Sequence, residues 1–296
     1  MILVEQAIPV YNPPMLIPKQ LPDTIAGFWL AVWALGASTV YPLSAADTKA
    51  ELAPTGTLRG IFLGRNPVQA THAPGTGEYA GPVPDMLKEL ARQIGIPYKL
   101  IPGENAAAVM DAVNRHTADI GFLAYDETRA RVVDFSVPFY LMFSAYLVRA
   151  ESPFQTSTDI DRPGVKVGAT TRQTQQIFLS DNLKNARVIQ LKETPADPEM
   201  ARMLETGEID AFGQNRERSE AAATKFPRVR VLKDNFSQVG QAIVVAKGDT
   251  AKLIQLNRMI NQAIASGVVK VSLERAKLAG VGVAPVNQNA ALPAFR

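Results

Sequence analysis

Residues Gly77 to Leu100 read GEYAGPVPDMLKELARQIGIPYKL. Val83, Met86, Leu87, Leu90, Ala91 and Ile94 fall on one stripe at helical spacing, and Gly95 ends it, since glycine readily takes the left-handed backbone that stops a helix. Before this helix, Leu58 to Leu63 is a short apolar run. After it, Tyr98 to Ile101 is another. A strand, a helix and a strand within about fifty residues (about one per connection length) predict a parallel pair with a helix crossing over it.

The same alternation continues outward. Ala106, Val109, Met110 and Val113 mark a helix, and Ile120 to Leu123 a strand. The pattern then breaks at Phe139 to Val148, a long apolar run (FYLMFSAYLV) with no helix behind it. A second series starts at Val165. Strand Val165 to Ala169 leads into a helix from about Gln173, and strand Arg187 to Leu191 into a helix capped by Asp197 with Pro198 in its first turn. Strand Ile209 to Phe212, helix Arg216 to Lys225 and strand Val229 to Leu232 follow. Gln241 to Ala246 is a second long apolar run, and two helices, Leu253 to Ile264 and Val268 to Leu278, close the order. The two series echo each other. Val113 before Asp119-Ile120-Gly121-Phe122 parallels Leu204 and Gly207 before Asp210-Ala211-Phe212. The expected fold class is therefore α/β, two similar lobes with mixed, mostly parallel sheets joined by two crossovers. Ligands of open α/β sheets bind beyond the carboxyl ends of the strands, so two such edges form a cleft.

Composition narrows the function. The 296 residues carry a net charge of +3, with no basic run interleaved with aromatics, so nucleic acid is not an expected partner. There is no cysteine, which removes disulfides, thiolate metal sites and cysteine nucleophiles. The two histidines, His72 and His116, lack a shared metal-ligand spacing. No cofactor is expected.

Thr24 to Ala46 carries no charge, with an apolar centre from Ile25 to Leu43, Lys19 ahead of it and Ser44-Ala45-Ala46 behind it. This order reads as a secretory signal over residues 1–46, cut between Ala46 and Asp47. A retained membrane anchor is the alternative, because the stretch is almost long enough to span. Residues 1–14 hold Glu5 and no basic side chain, so Met15 is expected to be the true start. The mature chain is expected to divide into a first lobe over 47–143 and 240–285 and a second lobe over 144–239. A loose tail follows over 286–296.

Asp126 to Tyr140 reads DETRARVVDFSVPFY. This segment resembles the most recognisable motif of the extracellular solute-binding proteins of the polar amino-acid type, the receptors of many bacterial ABC importers. Gly77 to Leu100 resembles that family's early segment, Val165 to Gln176 (VKVGATTRQTQQ) the start of its second lobe, and Leu204 to Asn215 (LETGEIDAFGQN) the segment closing over the ligand. The likeness spans roughly Leu58 to Pro285. It implies a type II periplasmic binding fold, a small-molecule ligand, a membrane permease of an ABC importer as partner, a periplasmic location, a monomer and no enzymatic activity.

The resemblance also implies a carboxylate-gripping arginine, matched by Arg129. Its place just past a strand end supports this, and a guanidinium fork fits a carboxylate with two parallel hydrogen bonds. The alternative is a surface pair with Asp126 or Glu127. Phe122 and Ala124 end the strand, and the Ala124 amide can donate to a ligand oxygen. Asn66 lies in the first strand-to-helix loop, as a contact or as a turn residue before Pro67. Thr171, Arg172, Gln173 and Thr174 lead into a helix amino end, which suits an anion and equally suits capping by Thr171 or Thr174. Tyr125 and Tyr140 can wall a pocket, though Tyr140 fits core or hinge packing better. Gln241 heads the second crossover. Asn215 stands where the family's amino-acid receptors place an aspartate against the ligand ammonium, so the resemblance implies an anionic carboxylate that is not a standard amino acid. Asn215 can equally cap the helix at Arg216. The rival reading is an enzyme on the same fold, of the cyclohexadienyl dehydratase type, which needs an acid or base in the cleft; His116 is expected at a helix end away from it.

Overall fold

The computed structural model describes residues 45–73 and 75–286. The signal-like stretch Ile25 to Leu43 and residues 287–296 of the expected tail lie outside them. The expected cut after Ala46 falls in the first turn of helix α1 (Ala45–Leu52), ahead of its buried Leu52. No helix among the described residues is long and apolar enough to cross a membrane.

The first half opens with β1 (Leu58–Leu63), then the small hairpin β2 (Thr71–His72) and β3 (Tyr79–Ala80), helix α2 (Pro82–Ile94) and β4 (Tyr98–Gly103). Gly95 caps α2 in the left-handed region at φ 65°, as its place in the sequence requires. Helix α3 (Ala106–Asn114), β5 (Ile120–Ala124) and a single helical turn, α4 (Glu127–Ala130), follow. Strand β6 (Val133–Arg149) then runs 17 residues. The second half contains β7 (Lys166–Thr170), α5 (Thr174–Asn182), β8 (Arg187–Leu191), α6 (Asp197–Glu205), β9 (Ala211–Asn215), α7 (Arg216–Lys225) and β10 (Val229–Val231). Strand β11 (Ser237–Ala246), helices α8 (Thr250–Ala265) and α9 (Val268–Ala276) and β12 (Val281–Val283) return to the first half.

The strand order is β4-β1-β5-β11-β6-β9-β7-β8, with β10 and β12 also paired to β6. Each half contributes a parallel triplet with its earliest strand in the middle: β1 between β4 and β5, and β7 between β8 and β9. The expected crossovers are themselves strands. Phe139 to Val148 lies within β6 and Gln241 to Ala246 within β11, and the two pair antiparallel, fusing both triplets into one mixed sheet. Strand β11 begins at Ser237, four residues ahead of the expected start, because its first residues pair with Ser144, Phe143 and Met142.

The internal echo has a physical basis. Asp119 accepts the Arg59 amide at 2.7 Å, and Asp210 accepts the Lys166 amide at 2.8 Å. Each aspartate's own amide donates back to the same residue's carbonyl, at 2.9 and 2.8 Å. In both halves the aspartate thus fixes the register of its strand against the central one. Among the described residues the apolar side chains form four clusters, two in each half on opposite faces of the sheet, and none of the four draws buried residues from both halves. Tyr140 belongs to the largest; its hydroxyl donates to the Val68 carbonyl at 2.9 Å, and burial pushes its pKa up.

Other boundaries shift by one to a few residues, two of them near the cleft or its supporting helices. Asp197 is the first helical residue of α6, with Ala196 as the cap residue, and Asp197 pairs with Lys225 at 3.0 Å. Strand β9 continues through Gln214 and Asn215, because β6 pairs with it that far.

Candidate functional site

A cleft of about 530 Å³ opens at the carboxyl ends of β1, β5, β7 and β9, lined by residues of both halves. The first half contributes Leu63, Asn66, Pro67, Val68, Ala124 and Arg129. The second contributes Arg172, Gln173, Thr174, Gln175, Asn215, Glu217 and Arg218. Met142, Ser144, Val239 and Gln241, from the paired strands β6 and β11, complete the lining.

Arg129 sits on the one-turn helix α4. Asp126 caps that turn by accepting the amides of Thr128 at 2.9 Å and Arg129 at 3.1 Å, together with the Thr128 hydroxyl. Burial raises the Asp126 pKa, but the bonds from Thr128 and Arg129, with the charge of the Arg129 guanidinium nearby, outweigh it and the net shift is downward. The Arg129 guanidinium does not pair with Asp126 or Glu127. Its Nη1 donates to the Ala124 carbonyl at 3.0 Å, which turns it toward the cleft, and it reaches no carboxylate among the described residues.

The second half presents a polar network. Buried Gln175 donates through Nε2 to the Ser144 hydroxyl at 3.1 Å and to Asn215 Oδ1. Asn215 stands at the cap position of α7 without making a side-chain cap bond, so its side chain serves Gln175 instead. Neither Thr171 nor Thr174 caps α5; Gln173 holds that position, also without a side-chain bond. Arg172 has φ 66°, left-handed for a side chain that disfavours it, a strain of about 1–3 kcal/mol. Its amide donates to Gln176 Oε1 at 3.0 Å, and buried Gln176 is fixed in turn by Ser180 at 2.9 Å.

The first turn of α7 is held from behind. Arg216 donates to the carbonyls of Leu232 and Lys233 at 3.0 Å and of Asp234 at 2.8 Å, and to Asn235 Oδ1 at 2.6 Å. Gly280, at φ 64°, packs on the same turn so tightly that a Cβ would lie 2.5 Å from the Glu217 amide nitrogen. Glu217 and Arg218 are thereby set at the cleft.

Eight of the expected contacts line this cleft: Asn66, Ala124, Arg129, Arg172, Gln173, Thr174, Asn215 and Gln241. Asn66 also makes the turn bond expected of it, accepting the Val68 amide at 3.2 Å. Phe122, Tyr125 and Thr171 are not among its lining residues. Phe122 is buried in the first half's core, edge-on to Phe139 at 6.1 Å. Tyr125 packs edge-on against Phe135 at 5.2 Å, and Thr171 is engaged through its amide by the Leu191 carbonyl at 2.8 Å. His116 is exposed, and its carbonyl accepts from Arg59 at 2.9 Å. Sequence reasoning missed Gln175, Ser144, Met142, Glu217 and Arg218. Ser144 alone left a signal, as the one hydroxyl-bearing aliphatic side chain inside FYLMFSAYLV. Among the described residues no group of three or more histidines and carboxylates is placed to hold a metal ion.

Two similar α/β halves sharing a polar, arginine-bearing cleft define a solute-binding class. The chain belongs to the bacterial extracellular solute-binding proteins, family 3, whose family model matches residues 64–275. None of the curated proteins compared with it matches. Among solved structures it is similar to an ancestral cyclohexadienyl dehydratase, at 24% identity over 80% of this chain and 98% of that one, TM-score 0.55. It is also similar to an ancestral cationic amino acid solute binding protein, at 22% identity over 77% and 98%, TM-score 0.55. An amino acid ABC transporter substrate-binding protein from Streptococcus pneumoniae, bound to L-arginine, matches at 18% identity over 82% and 100%, TM-score 0.50. At these identities the likeness is one of fold, the type II periplasmic binding fold.

Proposed function

We propose that the protein captures a small anionic solute, a carboxylate other than a standard amino acid, and delivers it to the membrane permease of an ABC importer. The observation that carries this reading is Arg129, whose guanidinium bonds to the Ala124 carbonyl and borders the cleft with no carboxylate at ion-pair distance among the described residues. The two halves, 47–143 with 240–285 and 144–239, act as lobes that close on the solute about β6 and β11. The protein acts in the periplasm as a monomer after loss of residues 1–46. Asn215 supports the exclusion of amino acids. Its side chain adds no negative charge, and a buried ammonium without a counter-charge is costly. Glu217 offers a carboxylate, but the charges of Arg129, Arg172 and Arg218 on the same lining outweigh it.

The test is a thermal-shift screen of the purified protein with organic acids, amino acids and sugars. A solute at about 100 times its Kd adds about 2.7 kcal/mol of stability. Organic acids are expected to raise the Tm and sugars to leave it unchanged. Stabilisation by a standard amino acid and not by the acids overturns the reading. Glu217 is also the observation that favours an enzyme, as the one carboxylate on the lining among the described residues. NMR of the stabilising acid after prolonged incubation separates the two, since a receptor returns it unaltered.

A further inference from the structure

Among the described residues three guanidinium groups border the cleft, Arg129 from the first half and Arg172 and Arg218 from the second, against the single carboxylate of Glu217. The lining thus carries a surplus of two positive charges, divided between the halves. Neither Arg172 nor Arg218 forms an ion pair among the described residues. Arg172 is the more telling of the two. Its backbone is left-handed, a conformation glycine takes freely and arginine does not. The turn is nevertheless fixed, by Gln176 on its amide and by the Thr171 amide on the Leu191 carbonyl. A charged side chain is therefore held at a strained position on the wall of the cleft.

We infer that the solute carries two anionic groups, one bound by Arg129 and the other by Arg172 and Arg218. This rests on the reading of the cleft as a carboxylate site and names its substrate class, a dianionic acid with a group for each half. Closure brings the like charges of the two lobes nearer to each other, and their repulsion, which falls off over about 8 Å in physiological salt, opposes it. A monoanion compensates one wall and leaves the other. A dianion cancels the surplus of two and makes closure favourable. Arginine, with its planar fork, suits the recognition of both groups.

The experiment is calorimetry with chain-matched acids: malonate, succinate and glutarate against propionate, butyrate and valerate. Three proteins are compared: unaltered, Arg172→Gly and Arg218→Gln. Arg172→Gly keeps the turn, since glycine accepts its φ, so its Tm without ligand is expected to be unchanged or higher. A dianion is expected to bind the unaltered protein about tenfold or more tightly than its matched monoanion. Each variant is expected to lose most of that preference, its affinity for the dianion falling several-fold more than its affinity for the monoanion. If monoanions bind as tightly as dianions, or if dianion preference survives both substitutions, the inference is overturned while the carboxylate reading stands. If none of the six acids binds, the inference is overturned, and the carboxylate reading falls with it only if the wider screen of organic acids also leaves the Tm unchanged.

Discussion

Replacing Arg129 with alanine separates a binding residue from a surface one. In the structure the guanidinium has one protein bond, to the Ala124 carbonyl at 3.0 Å. Losing that bond costs the fold about 1 kcal/mol, which lowers the Tm of a protein this size by about 2–4 °C. The effect on binding is larger. Removing one partner of a desolvated charge pair costs about 2–5 kcal/mol. Arg129 is half-buried, so the lower end applies, about 2–3 kcal/mol, or roughly thirty- to 150-fold in affinity. Calorimetry with the acid that stabilises the protein most reads the affinity, and thermal unfolding without ligand reads the fold. Arg129→Lys keeps the charge and loses the fork, and is expected to fall between the two. A loss below about fivefold, the ceiling for an exposed pair worth about 1 kcal/mol, refutes the assignment.

Asn215→Asp is expected to move preference toward amino acids, read as Tm increases with standard amino acids that the unaltered protein lacks; Gln175 can still donate to the new carboxylate, so the fold is expected to persist. Asp119→Ala removes a buried carboxylate that accepts the Arg59 amide and guanidinium and is expected to cost about 3 kcal/mol in urea unfolding, against about 1–2 kcal/mol for the half-buried Asp210→Ala; equal small losses contradict the register role. Asp126, Asp161 and Asp234 have depressed pKa values, and backbone bonds from Gln155 and Thr156 depress Asp159 to about 2. Below the ordinary aspartate value of about 3.9 the unfolded chain then binds more protons than the folded one, so stability is present above that pH and is lost as pH falls toward about 2; a Tm that stays flat from pH 5 to about 2.5 counts against these bonds. Small-angle scattering is expected to show compaction when the stabilising acid saturates the protein, and an unchanged radius argues against closure.

Much of the fold was legible in the sequence. Its local signals carry their own physics: the apolar stripe ending at Gly95, the α3 and α8 stripes, and aspartates repeated before Ile120 and Ala211. The place of Arg129 beside the cleft was legible from its position after a strand and from the motif around it. Phe122 and Tyr125 were misplaced because sequence gives the face of a strand but not its depth. Phe122 and Ala124 share a face of β5, yet only the last residue of the strand borders the cleft, while Phe122 lies under α2. Gln175, Glu217 and Arg218 sit in the first turns of helices whose rotation about their axes depends on packing. Arg216 and Gly280 set that rotation for α7, and both act through partners remote in the chain.

The sequence by itself determined the two repeated α/β series, the apolar runs between them and the residues bearing charge near strand ends. These follow from periodicity and turn chemistry within a few residues. Only the tertiary structure decided that the two runs pair as β6 and β11 into one sheet. It also decided that arginines of both halves meet at a single cleft, because antiparallel register and helix orientation depend on contacts between segments a hundred residues apart, such as Val137 with Asn257.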